Sequence, residues 1–213
     1  MSWRARTSTR SSGGPDVARW TVGERREALV EAALRVMARD GLAAGTTRAV
    51  VAEAGMSLAS FHYAFVSRDE LLAELVRRVV GRELTAATAG MDPAAGLAGC
   101  LRAAAGGYLE HLGADPGAEQ LMLELTLHAV REPALRAVAR EQYRAYTDAA
   151  AALLEQAAEL TGSSWNRPVG ELARLLVTLV DGATTTWLVD HDTEATRRTL
   201  EAAVELLVGR YAA

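Results

Sequence analysis

The sequence predicts an all-α protein, in which a small N-terminal domain of three helices precedes a larger helical domain. Three observations predict this fold. The segments Thr21-Val-Gly-Glu24 and Ser67-Arg-Asp-Glu70 have the capping-box pattern that begins a helix. Two short apolar-periodic segments lie between them, joined at Gly55-Met56. From Asp69 onward the chain is rich in Ala and Leu, without the alternation typical of strands.

The first helix is predicted from residue 22 to Asp40, with Gly41 as its C-terminal cap. Apolar residues recur along it at a spacing of three and four, so one face can be buried. They are Ala28, Leu29, Ala32, Ala33, Val36 and Met37.

Two short helices are predicted next, from Thr47 to Ala54 and from Ser57 to Phe65. The tight turn at Gly55-Met56 needs the backbone freedom of glycine. Phe61 lies four residues before Phe65, and we expect this pair to close the core of three helices. Two brief helices joined by a sharp turn form a helix-turn-helix, a motif typical of DNA-binding proteins.

The larger domain is predicted to be helical throughout, with breaks at glycines and prolines. The predicted helices span residues 69–88, 94–112, 117–130, 133–160, 167–189 and 193–211. With 213 residues in all, this domain is large enough to have its own core.

Charge is distributed unevenly along the chain. The whole sequence has 23 basic and 27 acidic residues, a net charge of −4. Residues 1–68 contain 10 arginines and 6 acidic residues, whereas the remainder contains 13 and 21. A basic N-terminal part on an acidic body suits a protein that contacts phosphate at one end only.

Residues 1–20 are predicted to be a flexible basic tail. Two interpretations of it remain open: its arginines could enter the minor groove of DNA, or the tail could be a disordered leader. These residues contain no apolar run long enough for a signal peptide or membrane span, and the single Cys100 of the sequence fits a reducing cytoplasm. The arginines of the tail are Arg4, Arg6, Arg10 and Arg19.

Residues from about Thr21 to Val80 resemble the DNA-binding domain of the tetracycline-repressor (TetR) family. The shared motifs are a first helix ending in Gly, a second helix opening with Thr, then Gly-Met-Ser, an aromatic-rich recognition helix and Ser-Arg-Asp-Glu-Leu-Leu. The chain departs from the family pattern at Ala59, His62 and Ala64. The resemblance implies a tail at 1–20, a DNA-binding domain at 21–80 and a ligand-binding and dimerisation domain at 81–213.

The resemblance implies that the second short helix lies in the major groove of an operator. The recognition helix has no Arg, Lys, Asn or Gln, so Arg48 in the preceding helix is the nearest candidate for reading a guanine. Otherwise specificity rests on Ser and Tyr hydrogen bonds, methyl contacts and DNA shape. The implied base-facing residues are Ser57, Leu58, Ala59, Ser60 and Tyr63, and the implied phosphate contacts are Thr47, His62 and Arg68.

The resemblance further implies a homodimer formed through the last two helices, about residues 167–211, and a ligand cavity in the body. A two-fold dimer would place two recognition helices about 34 to 36 Å apart, or a multiple of this, on a near-palindromic operator. The candidate cavity residues, chosen by type, are Tyr108, His111, Met122, Glu124, His128, Tyr143, Tyr146, Asp181, Thr184 and Trp187, with Trp165 as a further candidate.

The sequence therefore predicts a repressor that a small-molecule effector releases from DNA, with no cofactor and no metal. Two alternatives remain open. The body could serve only dimerisation or the docking of a partner. The chain could instead be a metal-dependent helical enzyme, because Glu124 and His128 share a helix face and Asp190-His191-Asp192 follows elsewhere. No nucleophile-base motif, phosphate loop or paired Cys accompanies these residues.

Overall fold

The computed structural model describes residues 20–213, and the predicted all-α fold is confirmed over this range. The arginines predicted for a DNA-binding tail lie outside the described residues. The helices of the described part are α1 Val22–Asp40, α2 Thr47–Glu53, α3 Leu58–Ala64, α4 Arg68–Thr88, α5 Gly96–Ala114, α6 Pro116–Arg131, α7 Arg136–Thr161, α8 Val169–Asp190 and α9 Thr193–Tyr211. Short 3-10 turns lie at Leu42–Ala44, Pro93–Ala95 and Pro133–Leu135.

Two predicted helix starts are displaced by prolines. The sequence suggested helices from residues 94 and 133, but α5 begins at Gly96 and α7 at Arg136. In both places proline opens a separate 3-10 turn before the helix, and at the first turn Asp92 accepts a hydrogen bond from the backbone N–H of Ala94.

The predicted caps of α1 are present. The backbone N–H of Glu24 donates to Thr21 Oγ1 at 3.2 Å, and the N–H of Thr21 donates to Glu24 Oε2 at 2.8 Å. At the other end Gly41 has a φ of +86°, a conformation that residues with a Cβ rarely adopt. The capping box and the glycine stop therefore act as local sequence signals, independent of the rest of the fold.

The second predicted capping box is only half formed. Ser67 Oγ accepts from the N–H of Glu70 at 3.1 Å, as expected. The carboxylate of Glu70 turns instead to the N–H of Val66 at 2.7 Å and to Arg26 Nη1 at 2.8 Å. Arg26 from α1 and the N–H of Val66 have thus replaced the backbone N–H of Ser67 as hydrogen-bond donors to Glu70.

The N-terminal domain has the predicted helix-turn-helix. Gly55, with φ +64°, makes the turn between α2 and α3. Phe61 and Phe65 are 2% and 1% exposed, and their ring centroids lie 5.7 Å apart. Their burial against α1 and α4 fixes which face of α3 points outward.

The core of this domain continues into the body. Leu121, Met122 and Leu125 on α6 belong to the same buried cluster as Phe61. A Cβ added to Gly117 on α6 would lie 3.2 Å from the Cβ of Ala38 on α1, so these two helices are in close contact. Motion of α6 is therefore transmitted by direct packing to the helix that supports the helix-turn-helix.

The body is built around α4, which runs on from the helix-turn-helix and packs against α5 and α7. A Cβ on Gly107 of α5 would lie 2.3 Å from the carbonyl oxygen of Ala86 on α4, so only glycine permits this approach. Cys100 is fully buried, and its Sγ donates to the Asp92 carbonyl at 3.2 Å. Cys100 is therefore a small residue of the core.

The last two helices, α8 and α9, pack on each other and leave apolar side chains exposed. Leu175 and Leu179 are each 38% exposed on α8, and Leu206 on α9 is 74% exposed. By length and composition alone α8 could cross a membrane, with a mean hydropathy of 1.3 over its most apolar 18 residues, of which 28% are buried. This face lacks a partner within the described residues of one chain.

Candidate nucleic-acid interface and internal cavity

The outer face of α3 is exposed and carries most of the residues predicted to face the bases. Tyr63 is 67% exposed and Leu58 is 45% exposed. Ser57 Oγ accepts from the N–H of Ser60 at 3.2 Å and lies 3.0 Å from Ser60 Oγ. The Ser57 hydroxyl thus caps α3, and the two hydroxyls also bond to each other. Ser57, Ala59 and His62 are also exposed, and Ser60 is half-buried.

The second short helix of the motif, α2, presents Arg48 to solvent. Thr46 caps α2 by accepting from the N–H of Ala49 at 3.1 Å, and Thr47 is half-buried in the first turn. Arg48 makes no ion pair within the described part of the chain. Its position in the first turn of α2 leaves the guanidinium available to an external acceptor.

Arg25 is a residue of this surface that the sequence did not indicate. Its guanidinium lies 5.0 Å from the ring centroid of Tyr63, in cation–π geometry. One of its N–H groups donates to the Trp20 carbonyl at 3.3 Å. Arg25 is on α1 and Tyr63 on α3, and no spacing in the sequence signals a contact between residues so far apart.

Arg68, predicted to contact phosphate, forms two hydrogen bonds inside the protein. Its Nε donates to the Gly45 carbonyl and its Nη2 to the Leu42 carbonyl, both at 2.9 Å. These bonds tie the first residue of α4 to the loop that precedes α2. Three of the five guanidinium N–H groups remain for any further contact.

Arg26 holds the C-terminal end of α3. Its Nη1 donates to the Ala64 carbonyl at 2.6 Å, and its guanidinium lies 4.2 Å from the ring centroid of Phe65. The same Nη1 lies 2.8 Å from Glu70 Oε1. The hydrogen bond from Val66 and the Arg26 partner both lower the pKa of Glu70, so this carboxylate stays charged and keeps Arg26 in place.

The body contains a partly open cavity of about 260 Å³ bounded by helices α4 to α9. Its walls are mainly Leu, Val and Ala, with a small number of polar groups. The Tyr108 hydroxyl lies 2.6 Å from Thr184 Oγ1, and the Tyr143 hydroxyl donates to Asp181 Oδ2 at 3.0 Å. Six of the predicted ligand residues line it: Tyr108, Met122, Tyr143, Tyr146, Asp181 and Thr184.

Four predicted ligand residues lie elsewhere, and two of them are on α6. Glu124 Oε2 accepts from the N–H of Leu42 at 2.8 Å, which joins the body to the loop before α2. His128 is exposed, with its Nδ1 3.0 Å from the Glu124 carbonyl. Both point away from the cavity because α6 presents a different face, that of Glu119 and Met122, to it.

The other two lie beside the cavity without lining it. Trp187 is buried against Leu109 and Leu112, and its indole N–H donates to Thr193 Oγ1 at 3.0 Å. His111 is half-buried one turn beyond the α5 residues that face the cavity. The further candidate Trp165 donates from Nε1 to the Leu154 carbonyl at 3.1 Å and packs in the core.

The residues that suggested a metal-dependent enzyme have structural roles. Asp190 and Asp192 shape the turn between α8 and α9, where Asp192 Oδ1 accepts from the N–H of Ala195 at 2.9 Å. His191 has a φ of +54° and ends α8. Among residues 20–213, no three His, Cys, Asp or Glu side chains are placed to hold a metal ion together.

Two buried glutamates of the cavity were missed from the sequence. Glu83 projects from α4 and Glu119, 5% exposed, from α6. The Oε1 atom of each is buried and has no hydrogen-bond partner among the described residues. Each looks in the sequence like an ordinary surface glutamate, since arginine or polar neighbours surround it and no motif marks it.

Each of the two carboxyl groups affects the pKa of the other. Burial raises the pKa of Glu83 well above its ordinary value, and the charge and hydrogen bond of Glu119 raise it further. Burial also raises the pKa of Glu119, while the hydrogen bond from Glu83 opposes that rise. These directions favour the protonated, neutral form of Glu83 beside Glu119.

A Glu83→Gln variant should change how stability depends on pH. The pKa of Glu83 is raised on folding, so its contribution is fully present below the unfolded value of 4.5 and is lost as pH rises through the folded value. Glutamine mimics the protonated acid at every pH. We therefore expect the thermal midpoint of the variant to exceed that of the native protein increasingly above pH 4.5, by roughly 2–4 °C per kcal/mol.

Thermal unfolding between pH 4 and 8 measures this difference. The exposed Glu110 on α5 offers a control, because Glu110→Gln should give a curve parallel to that of the native protein. A parallel curve for Glu83→Gln as well would show that folding does not raise the pKa of Glu83.

Comparisons with known proteins agree with this architecture. The model of the "Bacterial regulatory proteins, tetR family" matches residues 29–75, and that of the "Tetracyclin repressor-like, C-terminal domain" matches residues 92–210. The HTH-type nicotine-responsive transcriptional repressor HdnoR of Paenarthrobacter nicotinovorans is 28% identical over 175 residues, which are 78% of this chain and 85% of HdnoR.

Solved structures show the same similarity. The multidrug binding protein EbrR complexed with proflavin is 34% identical, with a TM-score of 0.54 and coverage of 85% of this chain and 99% of EbrR. Its complex with imidazole gives a TM-score of 0.60 at 32% identity, covering 85% and 94%. A transcriptional regulator from Rhodococcus sp. has the same fold, with a TM-score of 0.74 at 24% identity and coverage of 87% and 98%.

Proposed function

The chain belongs to the tetR family of bacterial regulatory proteins, and from this premise we propose that it is a repressor released from DNA by a small-molecule effector. It is a DNA-binding regulator and not an enzyme. In the proposed action, a homodimer binds a near-palindromic operator in the cytoplasm. Effector in the body favours a dimer whose recognition helices no longer match successive major grooves.

The DNA-binding part of the proposal rests on the outer face of α3. Tyr63 offers an exposed phenol that can hydrogen-bond to a base edge, and Leu58 an apolar surface for a thymine methyl. Arg25 and Arg48 flank this helix with positive charge, and His62 extends the polar face. Because Ser57 and Ser60 already bond to each other, Tyr63 and Arg48 are the main candidates for base reading.

The homodimer is supported by the apolar face of α8 and α9. Exposed leucines on both helices would be costly in water without a partner. Arg198 and Thr199 lie beside Leu206 on this face, a polar rim typical of a protein interface and unfavourable in the lipid core of a membrane. A second subunit is therefore the proposed occupant.

One observation carries the effector part of the proposal: two helices that line the cavity, α4 and α6, also contact the loop before the helix-turn-helix. On α4, Glu83 lines the cavity and Arg68 binds the Leu42 carbonyl. On α6, Glu119 lines the cavity and Glu124 binds the Leu42 N–H. A ligand that shifts α4 against α6 would therefore pull on the two peptide groups that flank Leu42, in the loop before α2.

This shared link favours a sensor over a body that serves only dimerisation or docking. A pure docking module has no need of an internal cavity, and an empty cavity with apolar walls costs stability. HdnoR is named as nicotine-responsive, and EbrR was solved with proflavin and with imidazole. We propose that the cavity of this chain likewise accepts a small organic effector.

Selection of bound DNA from a random pool tests the DNA-binding part and supplies the operator. On the selected sequence, we expect Arg48→Ala to weaken binding by about 1–3 kcal/mol and to relax the preference at one base position. Titration of labelled operator duplexes, with each base pair changed in turn, measures both effects.

The exposed Arg140 on α7 provides a matched control, since Arg140→Ala removes the same charge from the body and should leave binding unchanged. Uniformly weaker binding of Arg48→Ala to all duplexes, with a salt slope reduced by about one, would assign Arg48 to phosphate. A failure of the native protein to enrich any DNA would refute the function itself.

A further inference from the structure

We propose that the effector is an organic monocation, a protonated amine on an apolar body, whose charge lies between the carboxyl groups of Glu83 and Glu119. This inference rests on the proposed function and names the class of ligand that its cavity binds. Three features of the cavity support it: the walls, the balance of charge, and the unpaired oxygen atoms.

The walls suit an apolar or aromatic body. Most lining residues are aliphatic, and Tyr108, Tyr143 and Tyr146 add three aromatic rings from two helices. Tyr143 and Tyr146 pack edge to face with ring centroids 6.0 Å apart. Aromatic faces attract cations as well as apolar groups, so these walls accept both parts of such a ligand.

The charged residues of the lining are all acidic. Glu83, Glu119 and Asp181 come from α4, α6 and α8, and the lining contains no arginine or histidine. Asp181 already accepts a hydrogen bond from Tyr143. Nothing basic in the cavity wall balances the glutamate pair, so a positive charge must come from the ligand.

Two of the neutral polar groups nearby already have hydrogen-bond partners. The side-chain amide of Gln142 donates to the Met122 carbonyl at 3.1 Å, and Tyr108 is paired with Thr184. One oxygen of each glutamate is left buried without a partner. Such atoms are costly unless a donor is supplied, and an ammonium group has up to three N–H donors for them.

Binding should exchange a proton for the ligand. When the cavity is empty, burial and the repulsion between the two carboxyl groups raise the pKa of Glu83 and favour its protonated form. A seated ammonium neutralises that repulsion, and Glu83 then loses its proton to solvent as both carboxylates contact the cation. The other titratable groups facing the pair are Tyr108 on α5, Tyr146 on α7 and Asp181 on α8, none of them basic.

A series of naphthalene compounds with one shared apolar body tests the ligand class. The probes are 1-naphthylmethylammonium, 1-naphthylmethanol and 1-naphthoate, measured by calorimetry on the full-length protein. We expect the ammonium to bind at least tenfold more tightly than the alcohol, and the carboxylate to bind most weakly. Equal affinities, a preference for the alcohol or the carboxylate, or no binding of the ammonium would overturn the proposal.

The Glu119→Gln variant locates the charge. It should lose the preference for the ammonium while still binding the alcohol, which also shows that the cavity remains folded. Glu83→Gln should bind the ammonium without releasing a proton, whereas the native protein releases up to one, as measured in two buffers of different ionisation enthalpy. Exposed Glu110→Gln should match the native protein in every respect. A preference retained in Glu119→Gln counts against this site.

Operator release separates this inference from the function on which it rests. If the alcohol frees the operator and the ammonium does not, the protein is a sensor of another ligand class and the inference is wrong. If the ammonium binds with the expected preference but no operator can be selected, the inference holds and the proposed function is wrong.

Discussion

Replacing Phe61 by alanine is expected to destabilise the protein by about 3–5 kcal/mol and to abolish operator binding. Phe61 is 2% exposed and lies in the core shared by the N-terminal domain and α6. Removing the ring leaves a cavity that close-packed neighbours cannot fill, and it removes the packing that orients the outer face of α3. Urea unfolding monitored by tryptophan fluorescence gives the loss in free energy.

Val66 provides the comparison. It follows α3 directly and is 92% exposed, so Val66→Ala should change stability by less than about 0.5 kcal/mol. A cost below 1 kcal/mol for Phe61→Ala would mean that the three-helix core does not depend on this ring. Because the core is continuous with α6, we expect one unfolding transition in the native protein and not a separate one for the N-terminal domain.

Placing a glutamate at Leu206 is expected to separate the dimer and to weaken operator binding by about 100-fold or more. Leu206 is 74% exposed on α9 next to Leu179 of α8. In a two-fold dimer the substitution puts a charge from each subunit into an apolar interface, where unpaired charge is strongly unfavourable. The separated subunits would bind each half of the operator independently and lose the benefit of linkage.

Light scattering after size-exclusion chromatography gives the mass, and titration of the operator gives the affinity. Val130 on α6 is similarly exposed at 69% but lies outside α8 and α9, so Val130→Glu should remain a dimer. A Leu206→Glu protein that is still dimeric would place the interface elsewhere. A monomeric native protein in detergent-free buffer would leave the apolar face of α8 without the proposed partner.

Local signals in the sequence predicted the helices and the helix-turn-helix. Thr21, Ser57 and Ser67 satisfy backbone N–H groups within their own first turns, and Gly41 and Gly55 adopt backbone conformations that their neighbours require. Each of these interactions spans five residues or fewer. Such signals act whatever the rest of the chain does, which is why most predicted helix bounds agree with the structure within about two residues.

Only the tertiary structure decided which side chains meet. Residue type alone suggested Glu124 and Trp187 as ligand contacts, but the rotation of α6 and the packing of α8 direct them elsewhere. The same rotation brings Glu119 to Glu83, although nothing in either local sequence marks a buried acid.

The contacts that connect the cavity with the DNA-binding domain likewise join residues that are far apart in the sequence. Glu124 reaches Leu42 across 82 residues, and Arg68 reaches it across 26. By itself the sequence determined the family, the helices and the outward face of the recognition helix. These features depend on hydrogen bonds within single helix turns and on the spacing of apolar residues along one helix. The composition of the cavity and its link to the helix-turn-helix depend on the relative rotation of separate helices, which packing alone decides.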